Sequence, residues 1–237
     1  QVIADNVVDE ANLKVSNSPT NGYVLTAQSG NTGGLTWAVD AGGATSIDGL
    51  SDATVYNTTT IGLGSGALDS MSSGNGRNTA VGYNALTANT SGYNNTAVGH
   101  LAGTAITDGY QNTLLGDRTG TALTTGDNNT AIGQHALKTS TTANNNTAVG
   151  FDCMALTTTG NPNTAVGAYC LDAMTSGSNN TAIGYQAMSS LTDGGNNVAV
   201  GHNALSALTT HSYNTAVGVA ALEALSTAHA NTAIGYK

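Results

Sequence analysis

The sequence predicts an all-β chain: a parallel β-roll, or β-solenoid, of 17-residue coils preceded by a small N-terminal β module. Three observations carry that prediction. A variant of Asn-Thr-Ala-Val-Gly is written ten times between Asn78 and Gly235, and its closing glycine recurs every 17 residues from Gly82 onward. A fixed short period is the signature of stacked coils, none of which can bury its apolar face alone. Next, the 237 residues include one Trp, one Phe and 31 Gly, and only 8% are charged. Large core-filling side chains are scarce, while the abundant Ala, Val, Asn and Thr suit narrow β coils better than packed helices. Finally, the motif's centre, Thr79-Ala80-Val81 in the first full repeat, alternates sides as a strand does.

Taken in chain order, Val2, Ile3, Val7 and Val8 are apolar positions suited to knitting chains together. Asn21-Gly22 fits a tight turn, with Tyr23-Val24-Leu25 and Leu35-Thr36-Trp37 as short strands. Residues 39–54, rich in Gly, Ala, Ser and Asp, read as a link. The expected organisation is therefore an N-terminal trimerising β module and linker over 1–54 and a roll of about eleven coils over 55–237. Thr58-Thr59-Thr60-Ile61-Gly62 reads as a degenerate first coil, with the surplus before Gly82 looping out within 64–76.

Within a coil, the Val81 slot is branched aliphatic throughout, as in Val98, Leu115, Ile132 and Ile183, and is expected to line the interior. The Ala80 slot is Ala in nine of ten repeats, Leu114 being the exception, and an unvarying glycine stands two residues on. Two rows of minimal side chains imply close approach of another backbone. They make Ala80, Gly82, Ala97, Gly99, Ala131, Gly133, Ala165 and Gly167 a candidate chain-to-chain face. On that reading Ala165→Leu disrupts association. The alternative is that small residues simply fit inside a tight coil. A second wall follows, with pairs such as Ala85-Leu86 and Ala187-Met188 and then a further aliphatic residue such as Ile106 or Leu191. The next turn tends to hold glycine, as at Gly92 and Gly109, where positive φ is often needed.

Asparagine opens all ten motifs: Asn78, Asn95, Asn112, Asn129, Asn146, Asn163, Asn180, Asn197, Asn214 and Asn231. Stacked amides can hydrogen-bond from coil to coil, so this row reads as a structural ladder. Cys153 and Cys170 stand 17 apart in a slot otherwise filled by alanines such as Ala85. That placement suits small apolar residues, and a stacked disulfide is the alternative.

A coil this small offers only three or four medium apolar side chains. At about 0.8 kcal/mol per buried CH₂ they fall short of a backbone ordering cost of roughly 1–2 kcal/mol per residue. Packing against further copies would supply the difference. The repeat, with a small residue three positions after its glycine, resembles the Ser-Val-Ala-Ile-Gly type repeat of trimeric autotransporter (YadA-like) adhesin heads across residues 58–237. The resemblance implies left-handed parallel β-rolls assembled in threes, so the chain is expected to be homotrimeric. The family's repeats are usually shorter than 17 residues. The segment Leu13 to Leu25, followed by Gly33-Gly34-Leu35-Thr36-Trp37-Ala38, resembles short β modules of phage tail fibres and related virion proteins. Together these imply a structural and adhesive fibre component of a virion, with two further copies of itself, other fibre or virion proteins and a host-surface glycan or protein as partners. A cellular adhesin head or an extracellular filament subunit is the alternative. An ice-binding solenoid is a third reading, weakened because the Thr79, Thr96, Thr113 and Thr130 rank was expected to point inward with Val81 and is interrupted at Val198.

The net charge is −9, from 14 acids and five bases, so no basic stripe exists to neutralise phosphates, and nucleic acid and anionic membranes are poor partners. No run of about 18 apolar residues is present for a membrane helix. The five histidines are spread over several slots, and none pairs with Cys or a carboxylate at metal-ligand spacing. No phosphate loop, nucleophile motif or calcium repeat occurs. The expectation is no enzyme, no cofactor and no metal. Tyr83, Tyr93, Tyr110, Phe151 and Tyr185 remain as candidate surface-recognition residues. Rings on a rigid rod can stack on sugars or anchor a partner, or simply cover coil edges. The array stops at Lys237 without a cap, and an open strand edge invites continuation or a neighbouring subunit.

Overall fold

A computed structural model of the chain describes residues 23–27, 35–39, 53–56, 59–71 and 76–237. They fall into two units, Gln1–Leu50 and Ser51–Lys237. In the first, β1 (Tyr23–Ala27) pairs antiparallel with β2 (Leu35–Val39), with Leu25 opposite Trp37. The Asn21-Gly22 turn, the apolar positions Val2 to Val8 and most of the link lie outside the described residues.

The second unit is a parallel β-solenoid. Eleven strands, from β4 (Thr60–Leu63) through β5 (Thr79–Val81) to β14 (Thr232–Ile234), stack in sequence order as one parallel sheet. Each strand pairs in register with the equivalent residues one repeat on, Ala148 with Ala165 and Ala165 with Ala182. At about 4.8 Å per strand the sheet runs roughly 50 Å. β3 (Ala53–Tyr56) pairs antiparallel with β4 and covers that edge, a cap the repeat pattern does not announce. No helix occurs among the described residues.

The first coil differs from its expected alignment. Ile61 pairs with Thr79, Gly62 with Ala80 and Leu63 with Val81. Gly64, not Gly62, therefore holds the motif-glycine slot, and this coil is longer than the rest by one residue rather than three. The strand pattern was legible, but Ile61-Gly62 imitated Val-Gly two residues early.

The larger correction concerns which side of the strand faces in. Ala80, Ala97, Ala131, Ala148, Ala165, Ala182, Ala199 and Ala216 are fully buried in their own coil, whereas Val166, Ile183 and Leu115 are about 40% exposed. The aliphatic row is an outer row, with Thr79, Thr96 and their equivalents beside it. The reason is geometric. The opposite wall already fills the narrow interior with Leu86, Leu137, Met154, Leu171, Met188 and Leu205, supplemented by Ile106, Leu123, Met174, Leu191 and Leu208, all buried. Only a methyl group fits across from them. Small residues inside a tight coil was the correct alternative, and Ala80, Ala97, Ala131 and Ala165 are not a chain-to-chain face.

The glycine row is equally internal in purpose. Gly82 has φ +131°, and a Cβ there would stand 2.5 Å from the carbonyl oxygen of Gly99 in the next coil. Close approach of another backbone was the right inference, but that backbone belongs to the same chain 17 residues later. Gly82, Gly99, Gly133 and Gly167 thus set the coil spacing.

Leu114 also gains an explanation. In the preceding coil and in its own, the wall position held elsewhere by Leu or Met is Gly103 and Gly120. A Cβ on Gly103 would lie 2.7 Å from Leu114 Cδ1, and one on Gly120 would lie 3.0 Å from Leu114 Cδ2. One large residue on this wall fills the space left by two that are missing from the other. Cys153 and Cys170 are buried free thiols whose Sγ atoms lie near the Ala165 and Ala182 carbonyls. The neighbouring Cys170 and burial both push the Cys153 thiol far above its ordinary range.

Candidate functional site

The ten asparagines form a continuous ladder, buried from Asn78 to Asn214 and half-buried at Asn231. In the central coils each Oδ1 accepts both the backbone N–H and the side-chain N–H of the asparagine one coil on: Asn163 donates to Asn146 Oδ1 at 2.9 Å and 3.2 Å. Each Nδ2 also donates across its own coil to the glycine turn, Asn146 to Gly160 O at 2.8 Å. Each rung uses two N–H donations and an oxygen that accepts twice, which an amide supplies and a hydroxyl, with one donor, does not. The ladder fastens strand to turn and coil to coil, which uses up its polar groups. A second ladder was missed in the sequence. The hydroxyls of Thr124, Thr141, Thr158 and Thr175 each donate to the carbonyl 17 residues on. The 17-residue recurrence of Thr was its available signal.

Two outward surfaces are left for recognition. The first is the outer face of the sheet, where the threonine rank, replaced by Ile61 and Val198 in two strands, lies beside the Val/Leu/Ile row. Among the described residues no hydroxyl of this rank makes a hydrogen bond, in contrast to the threonines of the second ladder.

The second is a line of rings along the coil edge, drawn from the two positions that follow the motif glycine. Tyr83 stacks on His100, with centroids 5.6 Å apart. Further along, His135, Phe151, Tyr169, Tyr185 and His202 contact one another in series, each pair spanning adjacent coils at 5.3–6.2 Å. In the glycine turns Tyr93 lies flat on Tyr110 at 4.9 Å. The Asp127 carboxylate beside Tyr110 raises that phenol's pKa. Tyr83, Tyr93, Phe151 and Tyr185 keep substantial exposed area. The structure therefore brings Phe151 and Tyr185 into one ribbon, through Tyr169, and places Tyr83 and the Tyr93–Tyr110 pair elsewhere on the rod.

Two histidines pair with carboxylates across coils. His100 Nδ1 lies 2.8 Å from Asp117 Oδ1 and His135 Nδ1 lies 3.1 Å from Asp152 Oδ1. Both pairs are 17 residues apart, so the spacing that matters is the coil repeat rather than a local motif. His100 and Gln134, both donating to Asp117, hold its carboxyl below the usual range. Among the described residues no three His, Cys, Asp or Glu side chains converge as metal ligands, and no helix is long and apolar enough to cross a membrane. No protein-family model, curated protein or solved structure matches the chain.

Proposed function

We propose that the protein is a structural and adhesive fibre component of a phage tail fibre or similar virion appendage, built as a homotrimer. Its partners are two further copies of itself, other fibre or virion proteins and a host-surface glycan or protein, at a virion or otherwise extracellular location. The observation that carries this reading is the outer face of the sheet. A soluble coil leaves exposed apolar residues scattered, yet here Val81, Val98, Leu115, Ile132, Val149, Val166, Ile183, Val200, Val217 and Ile234 form one uninterrupted row. The row has the strand spacing of any second copy, so apolar side chains and unpartnered threonine hydroxyls can meet their equivalents from strand to strand. Burying it adds the apolar area that an alanine-lined interior lacks. This moves the proposed contact from the Ala/Gly rows to the Thr/Val rows. The trimeric number and the virion setting rest on the two resemblances above.

Antibodies against residues 78–237 provide the test of setting. Decoration of fibres on phage particles supports the proposal, and decoration of uninfected cell envelopes gives the adhesin-head alternative instead. One observation favours a second reading. The threonine rank, expected to point inward, points outward beside the aliphatic row, the arrangement an ice-binding solenoid requires. Thermal hysteresis in a solution of the purified chain would move the assignment there.

A further inference from the structure

We propose that a shallow groove beside the aromatic ribbon binds one neutral sugar residue of a surface glycan, an inference that rests on the adhesive reading above. The groove measures about 250 Å³ and crosses three coils, bounded by Lys138, Asp152, Leu156, Tyr169 and Asp172. It is smaller than the roughly 300–1,000 Å³ typical of drug-sized ligands, which suits a single ring.

Its lining departs from the repeat at several slots together. Where Leu156 stands, the other full coils carry Ala, Ser or Thr, as at Ala122, Thr139, Ala173 and Ser190, and Leu156 is 51% exposed. Asp172 and Lys138 stand where Thr104, Thr121, Ser189 and Ser206 do. Tyr169 occupies a position that is left-handed in every coil, as at Asn84, His135 and Asn203, so the repeat itself fixes where its ring starts. Coil stacking requires neither Leu156 nor the Lys138 and Asp172 charges, since neighbouring coils stack without them. Such departures gathered at one place on a regular scaffold mark a site.

The chemistry matches a pyranose. Tyr169, held edge-on between Phe151 and Tyr185, and Leu156 offer apolar surface for the C–H face of a ring. Asp172 lines the groove, and no side-chain hydrogen bond from the described residues occupies its carboxylate, so the group brings unused acceptor capacity to a hydroxyl donor. Asp152 is oriented by His135 and keeps acceptor capacity. Lys138 is exposed at the rim and can donate to a ring or hydroxyl oxygen. Two carboxylates against one ammonium disfavour acidic sugars.

The test uses the intact chain and methyl glycosides of glucose, galactose, mannose and N-acetylglucosamine at millimolar concentration, followed by ligand-observed NMR. Three variants borrow residues the repeat already uses: Asp172→Ser, Leu156→Ala, and Tyr169→Asn, which suits the left-handed backbone. At least one glycoside should show saturation transfer, with affinity falling about tenfold or more in Asp172→Ser and substantially in Tyr169→Asn, while circular dichroism and particle mass stay unchanged. No transfer from any glycoside, equal binding by wild type and variants, or calcium binding at the groove in place of sugar would overturn the proposal. Particle mass and virion labelling report the fibre assignment separately, so a trimeric fibre without sugar binding sinks this inference alone.

Discussion

Replacing Leu114 by alanine restores the motif's usual residue and should nevertheless damage the fold more than most core truncations. Leu114 is fully buried, and the wall opposite it consists of Gly103 and Gly120, which have no side chain to relax into the space. Leu→Ala truncations cost about 2–5 kcal/mol, more where the site cannot collapse. Here the expected value is the upper end, about 4–5 kcal/mol. For a unit of this size each kcal/mol lowers Tm by about 2–4 °C, so the midpoint should drop by roughly 8–20 °C in a thermal melt followed by circular dichroism. The triple variant Leu114→Ala, Gly103→Leu, Gly120→Leu rebuilds the interior used by the other coils. Gly103 and Gly120 already hold φ +58° and +57°, close to the +51° of Leu137 and Leu171, so the exchange needs no new backbone. It should recover part of the loss, because the two left-handed leucines together cost about 2–4 kcal/mol. A loss below about 1 kcal/mol in Leu114→Ala, or no cost for Gly103→Leu alone in the wild-type background, would refute the volume exchange.

Other consequences follow from the ladders and the polar groups. Asn146→Ala leaves the Gly160 carbonyl and two donors of Asn163 without their partner and should cost about 3 kcal/mol or more by urea denaturation. Thr157 Oγ1 is buried without a hydrogen bond, beside the turn at Gly160, so Thr157→Leu should stabilise by about 1 kcal/mol. Ser140→Leu should not, because Ala143 carries a Cβ where Gly126 leaves room for Leu123. Burial raises the Asp172 pKa, so the folded state disfavours its charge. Its penalty is present at neutral pH and gone below the unfolded value of 3.8. Asp172→Ser should therefore unfold at higher urea than wild type at pH 7, with the difference vanishing near pH 3.

Much of this structure was legible because one residue type must recur wherever one backbone geometry recurs. The glycine row, the asparagine ladder and the parallel order follow from a period of 17. What alternation could not reveal was its sign, because period 2 separates two faces without saying which is inside. Hydrophobicity argued for Val81 and its equivalents, but the interior is shared among several walls, and Leu86 on another wall leaves only methyl-sized room at Ala80. The clue to Leu114 was present in Gly103 and Gly120, two slots where Leu or Met is absent. The tyrosines were visible singly, but their ribbon zigzags between two adjacent positions of successive coils, and the groove it borders joins residues from three repeats. Such a site is written across the period rather than along it.

The central claim is that the Thr/Val face, not the Ala/Gly rows, holds copies of this chain together. Light scattering of the purified protein tests it most directly, comparing wild type with a Val149→Lys, Ile183→Lys variant. The account predicts a wild-type particle of about three times the 23.5 kDa chain mass and a folded, dissociated variant. A folded wild-type monomer, or a lysine variant that stays assembled, would contradict it.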